Sequence, residues 1–171
     1  MLAAGRFPAW ERVRSAIEKS VVPAQSLPGP TGESNRLTVH PRGLALCLGP
    51  TPDLAVTQAL QALAAGCSVL VAVAGSQEHM APLLQDDVPL AVLEGTVDPA
   101  LLVSLVEVSV VAATGDPDWI RALRRSLAAR DGAIISLITE PVAPDAYLIE
   151  RHLCIDTTAA GGNASLLASS S

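Results

Sequence analysis

Leu44-Ala45-Leu46-Cys47-Leu48 is an unbroken apolar run that halts at Gly49-Pro50. A helical stretch follows from Pro52 to Ala65, with Asp53 placed to act near its start and Gly66 at its end. Ser68 to Val73 is a second apolar run. A strand with one wet face alternates polar and apolar residues. These do not alternate, so both of their faces are covered, as in a parallel sheet between helices. The rhythm continues downstream. Gln77 to Leu84 reads as a short helix made irregular by Pro82, and Pro89 to Leu93 as a third strand. Pro99 to Leu105 reads as a helical turn or two, and Val108 to Ala112 as a fourth strand. Asp118 to Ala129 is a clear helix and Ala133 to Ile138 a fifth strand. The expected product is an α/β fold: a Rossmann-like three-layer domain with a mostly parallel five-stranded sheet and right-handed crossovers.

Outside this block the rhythm breaks. Pro8 to Ser20 predicts an amphipathic helix, with Pro8 in its first turn and Trp10, Val13 and Ile17 at helical spacing. Ser20 to Asn35 is rich in Pro, Gly and Ser and reads as an irregular connection. Arg36 to His40 is a short strand and Pro41-Arg42-Gly43 a turn. After Glu140, Pro141 and Pro144 mark an exit. Tyr147 to Ile155 is then a strand that leaves the domain as a protruding arm, followed by a C-terminal tail. The expected organisation is residues 1–35 as helix and linker, 36–140 as the Rossmann-like domain, and 141–171 as arm and tail.

Half of the 171 residues are hydrophobic but only 2% are aromatic, so Ala, Val, Leu and Ile must build the core. Ala-rich helices on Val-rich strands suit a layered α/β domain of this length. The net charge of −6 argues against nucleic acid as a partner, because phosphates call for Lys and Arg. It argues equally against an anionic membrane surface. No apolar run reaches the roughly 18 residues of a spanning helix. No basic segment with an apolar signal core opens the chain. Membrane insertion is therefore not expected, and a cytoplasmic location is. The three cysteines, Cys47, Cys67 and Cys154, read as thiols of a reducing compartment.

Catalytic candidates are sparse. Cys47 and Cys67 lie in or beside apolar strands and read as inert core thiols. Cys154 and His152 point the same way on a strand, but no third group completes a nucleophilic site. His40, His79 and His152 share no ligand-like spacing, so no metal site is expected. No glycine-rich phosphate loop and no Gly-x-Ser-x-Gly turn occurs. Asp86-Asp87 and Asp116-Pro117-Asp118 read as helix-end and loop acids. Arg121, Arg124, Arg125 and Arg130 read as a basic cluster on one helix, either a solvated face or one paired with acidic neighbours. No catalytic, cofactor-binding or metal residue is assigned within the chain.

The tail carries the densest signal: Asp156-Thr157-Thr158-Ala159-Ala160-Gly161-Gly162-Asn163-Ala164-Ser165-Leu166-Leu167. It closely resembles the C-terminal motif of proline utilization A, the large bacterial flavoenzymes that oxidise proline to glutamate in two steps. Glu150-Arg151-His152-Leu153-Cys154-Ile155 is similar to the strand leading into that motif. Longer family members carry before it an inactive domain related to aldehyde dehydrogenases. Residues Arg36 to Glu140 resemble such a domain. Pro41-Arg42-Gly43-Leu44-Ala45-Leu46-Cys47-Leu48-Gly49-Pro50 looks like the entry to its first cofactor-domain strand. Gln58 to Leu70 is similar to the next helix and strand. Thr114 and Gly115 lie where active members carry a Thr-Gly-Ser turn, and Glu140 where they carry a catalytic base motif, so all three are vestigial positions.

The departures are chemical. Pro50-Thr51-Pro52-Asp53 lacks the oxyanion-stabilising Asn of active aldehyde dehydrogenases. Their second strand ends in a cofactor-contacting Lys, whereas here it ends Val71-Ala72-Val73-Ala74, and the only lysine is Lys19. Residues 141–171 are too few for the domain that bears the nucleophilic cysteine. The resemblance therefore implies a non-catalytic accessory domain with no cofactor of its own, within a parent that uses FAD and NAD. Its partners would be the catalytic domains of the same polypeptide. Tyr147, Ile149, Arg151, Leu153 and Ile155 would pair the arm with a partner sheet. The tail from Thr157 to Leu167 would lie over the tunnel that carries the intermediate. The isolated chain could replace that pairing with a homodimer through the strand 146–156. The parent would be bacterial and cytoplasmic, with peripheral contact to the inner membrane open to it. The alternative is a dinucleotide-binding module, a small oxidoreductase or sensor, that keeps NAD binding at the carboxyl ends of its strands.

Overall fold

The computed structural model describes residues 7, 10–20, 23–86 and 88–156. Five strands form one wholly parallel sheet: β3 (Leu44–Cys47), β4 (Ser68–Ala72), β5 (Leu90–Leu93), β6 (Val108–Ala112) and β7 (Ser136–Ile138), in the order β5-β4-β3-β6-β7. Side chains alternate across the two faces of a strand. Ala45, Cys47, Val69, Val71, Val110 and Ala112 join one core cluster, while Leu46, Ala72, Val108 and Val111 join another. Onto the first face pack α1 (Trp10–Ser20), α2 (Pro52–Ala64) and α3 (Ser76–Leu84), through buried Val13, Leu60 and Met80. Onto the second pack α4 (Pro117–Ala128) and a 3-10 turn at Pro99–Ser104, through Leu123 and Leu102. Two separate cores, one per face, are the three-layer arrangement expected from the apolar runs.

A smaller sheet has the order β1-β2-β8, from β1 (Gln25–Leu27), β2 (Glu33–Pro41) and β8 (Leu148–Asp156), with β1 and β2 antiparallel. The chain divides accordingly. One compact unit takes the described residues of 1–21 and 41–149, the other those of 22–40 and 150–171.

Several boundaries differ from the sequence reading, each for a local reason. Residues 20–35 are not wholly irregular: β1 lies there, and β2 starts at Glu33, because both find ladder partners that composition does not reveal. The fifth strand begins at Ser136 rather than Ala133, and Ile134 is 96% exposed. Thr51, not Asp53, caps α2, its hydroxyl accepting from Leu54 N. Pro82 does not interrupt α3, which runs unbroken through it. Arg130 lies beyond α4 and so leaves the supposed basic helix face, on which Arg121 pairs with Asp118. Tyr147, grouped with the arm, belongs instead to the 3-10 turn Pro144–Tyr147 and is buried to 1% exposure.

That turn is tied down by polar contacts. Gln61, 1% exposed in the middle of α2, donates from Nε2 to Pro141 O (2.9 Å) and accepts at Oε1 from Ala143 N (2.7 Å). Arg42 donates from Nε to Ala146 O (2.7 Å) and from its backbone N to Tyr147 O (3.0 Å). Gln61→Leu keeps the volume but leaves Pro141 O and Ala143 N unpaired. Each orphaned group costs about 1–3 kcal/mol. Urea unfolding followed by circular dichroism should therefore show a clear loss of stability, and an unchanged midpoint would refute the clamp.

Candidate functional site

The strand order fixes where a ligand would sit. From β3 the chain passes to β4 on one side and later returns to β6 on the other, which makes a topological switch point at the carboxyl ends of the strands. A cleft of about 300 Å³ lies there. Leu48, Gly49 and Pro50 reach it after β3, Ala72, Val73 and Ala74 at the end of β4. Thr96 and Val97 reach it after β5, and Asp116 and Trp119 at the start of α4. The lining is mostly apolar, and Asp116 is its only ionisable side chain. A Cβ added at Gly49 would stand 2.6 Å from Ala55 N, so the chain passes hard against the first turn of α2.

In this architecture the pyrophosphate of a dinucleotide rests on free N–H groups at a helix N-terminus. All three helices that start at this edge have some of those groups engaged by the chain itself. Thr51 Oγ1 takes Leu54 N at α2 (3.4 Å), and Pro52 occupies the first turn without an N–H. Asp116 Oδ1 accepts from Asp118 N (2.8 Å) and Trp119 N (3.1 Å) at α4. At α3 the capping residue is Gly75, left-handed at φ 78 and without a side chain to offer. Glu94, from beyond β5, supplies the acceptor: its carboxylate takes Gly75 N and Gln77 N, both at 2.6 Å. These bonds, with Gln77 first and Gly75 next, hold the Glu94 carboxyl below the usual carboxylate range. Two of the three anion seats thus hold a fixed negative charge, which repels phosphate. The residues present do not fit a dinucleotide.

Nucleophilic chemistry finds no better footing. Burial pushes the Cys47 thiol up, away from the reactive thiolate. Cys67 is buried and donates to Tyr147 O (3.5 Å). Cys154 is exposed, but the ring of His152 bonds Asn35 Oδ1 (3.1 Å). Among the described residues no three His, Cys, Asp or Glu side chains gather as metal ligands. No described helix is long and apolar enough to cross a membrane.

Of the vestigial positions, Thr114 and Gly115 follow β6 and Glu140 follows β7. Gly115 (φ 140) packs against Pro50 and Trp119, and the buried Thr114 hydroxyl has no partner among the described residues. Glu140 is exposed, its carboxylate accepting only from the neighbouring Thr139 N (3.2 Å) among described contacts. Ile149, Arg151, Leu153 and Ile155 lie on β8, and all four are exposed. Thr157, Thr158, Ala159, Ala160, Gly161, Gly162, Asn163, Ala164, Ser165, Leu166 and Leu167 fall outside the described residues. Glu94 and Gln61 were missed in the sequence. An acid just past a strand is common, and only the β4–β5 adjacency brings Glu94 to α3.

The layered sheet is an aldehyde-dehydrogenase-like fold. A Brucella melitensis aldehyde dehydrogenase aligns at TM-score 0.56 and 24% identity over 75% of this chain and 28% of that one. Proline utilization A of Bradyrhizobium japonicum aligns better, at TM-score 0.65 and 31% identity over 77% of this chain and 15% of that one. In sequence, the bifunctional protein PutA of Escherichia coli is 37% identical over 147 residues, 82% of this chain. That of Rhizobium meliloti is 35% identical over 155 residues, 83% of this chain. No family model matches the chain. The chain is a PutA-derived domain, and it spans 11–12% of the length of these two curated relatives.

Glu94→Gln tests the self-filled α3 terminus. The folded carboxyl titrates below its ordinary value of 4.5, so its stabilisation is present above that value and is lost as pH falls through the folded pKa. The variant should melt earlier than the native chain at pH 7. The gap should close on acidification below pH 4.5. A gap that is independent of pH would show that the carboxylate charge plays no part.

Proposed function

We propose that this chain is a non-catalytic accessory domain of a bifunctional proline-oxidising enzyme. The observation that carries this reading is the filling of the cofactor edge by Thr51, Glu94 and Asp116. A cofactor-binding fold whose anion seats hold its own side chains is suited to packing, not to chemistry. The relationship to bifunctional PutA proteins supplies the parent. FAD and NAD would serve that parent in its catalytic domains, where proline is first oxidised and glutamate semialdehyde is oxidised next. The arm, through Ile149, Arg151, Leu153 and Ile155, adds to a partner sheet, and β8 stands at the edge of its own sheet, next to β2. The tail from Thr157 to Leu167 then lies over the channel for the intermediate. Gly161 and Gly162 permit close backbone approach. Leu166 and Leu167 anchor the end, each worth roughly 1.5–3 kcal/mol when fully buried.

The alternative, a module that retains NAD binding, draws on the apolar cleft beside Trp119. Calorimetric titration of the chain with NAD separates the two: no saturable heat is expected, and a saturable isotherm would favour the module. The lid is tested in the full-length parent by deleting residues 157–171. Proline oxidation should be nearly unchanged, while the coupled proline-to-glutamate reaction slows and gains a lag as the intermediate escapes. Unchanged coupled flux with no lag would sink the lid.

A further inference from the structure

The opposite, amino-terminal edge of the parallel sheet holds a second feature. Two departures from regular structure meet at one hollow of about 360 Å³. The β3–β6 register slips between Leu44 and Ala45, which face Val108 and Val110, so Ser109 is an extra residue in the ladder. Bulges re-aim side chains and cluster at functional edges. Beside it Glu107 is held at φ 66, the only left-handed non-glycine among the described residues. Arg42 and Arg130 both line this hollow, together with Ser109. Backbone carbonyls pin the two guanidinium groups: Ala146 O holds Arg42, and Leu102 O and Leu105 O hold Arg130. Neither forms an ion pair with a described carboxylate. Glu107, the one acid in the lining, is exposed and pairs with neither.

Two fixed, unpaired guanidinium groups in a chain of net charge −6 call for an outside acceptor. The rim indicates what carries it. Ile134 is 96% exposed and stands between this hollow and a neighbouring one of about 350 Å³ that is lined by Arg124, Leu127 and Leu137. Ile149 lines the first hollow as well. A free anion gains nothing from an isoleucine ridge, whereas an aliphatic protein segment does. We propose that this face docks an acidic, aliphatic-rich protein segment, whose carboxylate enters between Arg42 and Arg130 while its apolar side chains cover Ile134. The proposal goes beyond the accessory-domain reading and needs neither the tail nor the lid.

The probe is the blocked peptide acetyl-Leu-Glu-Leu-Glu-Leu-amide, titrated into the 171-residue chain labelled with nitrogen-15 in arginine. The Nε–H resonances of Arg42 and Arg130 should shift saturably. Ile134→Glu, at a site too exposed to disturb the core, should weaken binding at least about tenfold while the amide spectrum stays native. Arg124→Gln should weaken it less. Absence of any shift would overturn the proposal. So would equal binding of the peptide with Gln in place of Glu, which means general stickiness. Equal binding of glutarate or inorganic phosphate would overturn it too, since the hollow would then be a small-anion site. A loss with Ile134→Glu, together with rejection of the Gln peptide, supports a docked acidic segment.

Discussion

Gln61 is the constraint on which the exit from the larger unit depends. A primary amide in the middle of an apolar helix is unfavourable unless all of its groups are matched. Here it is matched to Thr57 O, Pro141 O and Ala143 N, so the stretch after β7 has one place to go. Arg42 fixes the next four residues from the other side, and Tyr147 fills the core beside Cys47 and Cys67. Burial raises the Tyr147 phenol above its ordinary pKa, as expected for a ring used as packing. Only then does β8 begin. The residues that precede β8 are therefore held in place and are not a free linker.

The carboxyl edge of the sheet shows how helix ends can be satisfied from within the chain. The parallel sheet forces three helices to start at one edge and leaves their N–H groups in need of acceptors. An active enzyme leaves some for phosphate and bears that cost until the ligand arrives. Thr51, Glu94 and Asp116 meet the need within the chain. The capped state is more stable without a ligand, and the carboxylates make the seats hostile to anions. Internal caps and bound anions draw on the same backbone donors, and here Thr51, Glu94 and Asp116 engage several of them.

What could be read in the sequence follows the range of the forces involved. Apolar runs report burial on both faces, so the five parallel strands, their alternation with helices and the two core layers were legible from Leu44 to Ile138. The family was legible from the tail and from Pro41 to Pro50, because runs of particular residues there resemble the family's motifs. Local caps were half legible: an oxygen-bearing residue at the start of this helix was expected to matter, but Thr51 rather than Asp53 took the role. The long-range polar contacts were opaque. Gln61 reads as one more helical Gln, and Glu94 as one more acid after a strand, until topology sets them beside Pro141 and Gly75. β1 and the early start of β2 were hidden for the same reason, since an exposed strand is defined by its ladder partner rather than by its own composition.

The two edges of the parallel sheet differ in how their polar groups are satisfied. At the carboxyl edge the polar groups are satisfied from within, and the cleft beside Trp119 is left apolar. At the amino edge Arg42 and Arg130 have backbone acceptors but no counter-charge, and Ile134 stands in water. A domain that bound a cofactor would show the reverse, with unsatisfied donors at the carboxyl edge and a closed, neutral floor. Half-buried guanidinium groups favour a counter-charge, and exposed isoleucine favours a cover. Both deficits lie on one face, and a single acidic, aliphatic contact would relieve them together. The unmet charge and the exposed apolar surface thus lie at the edge opposite the apolar cleft.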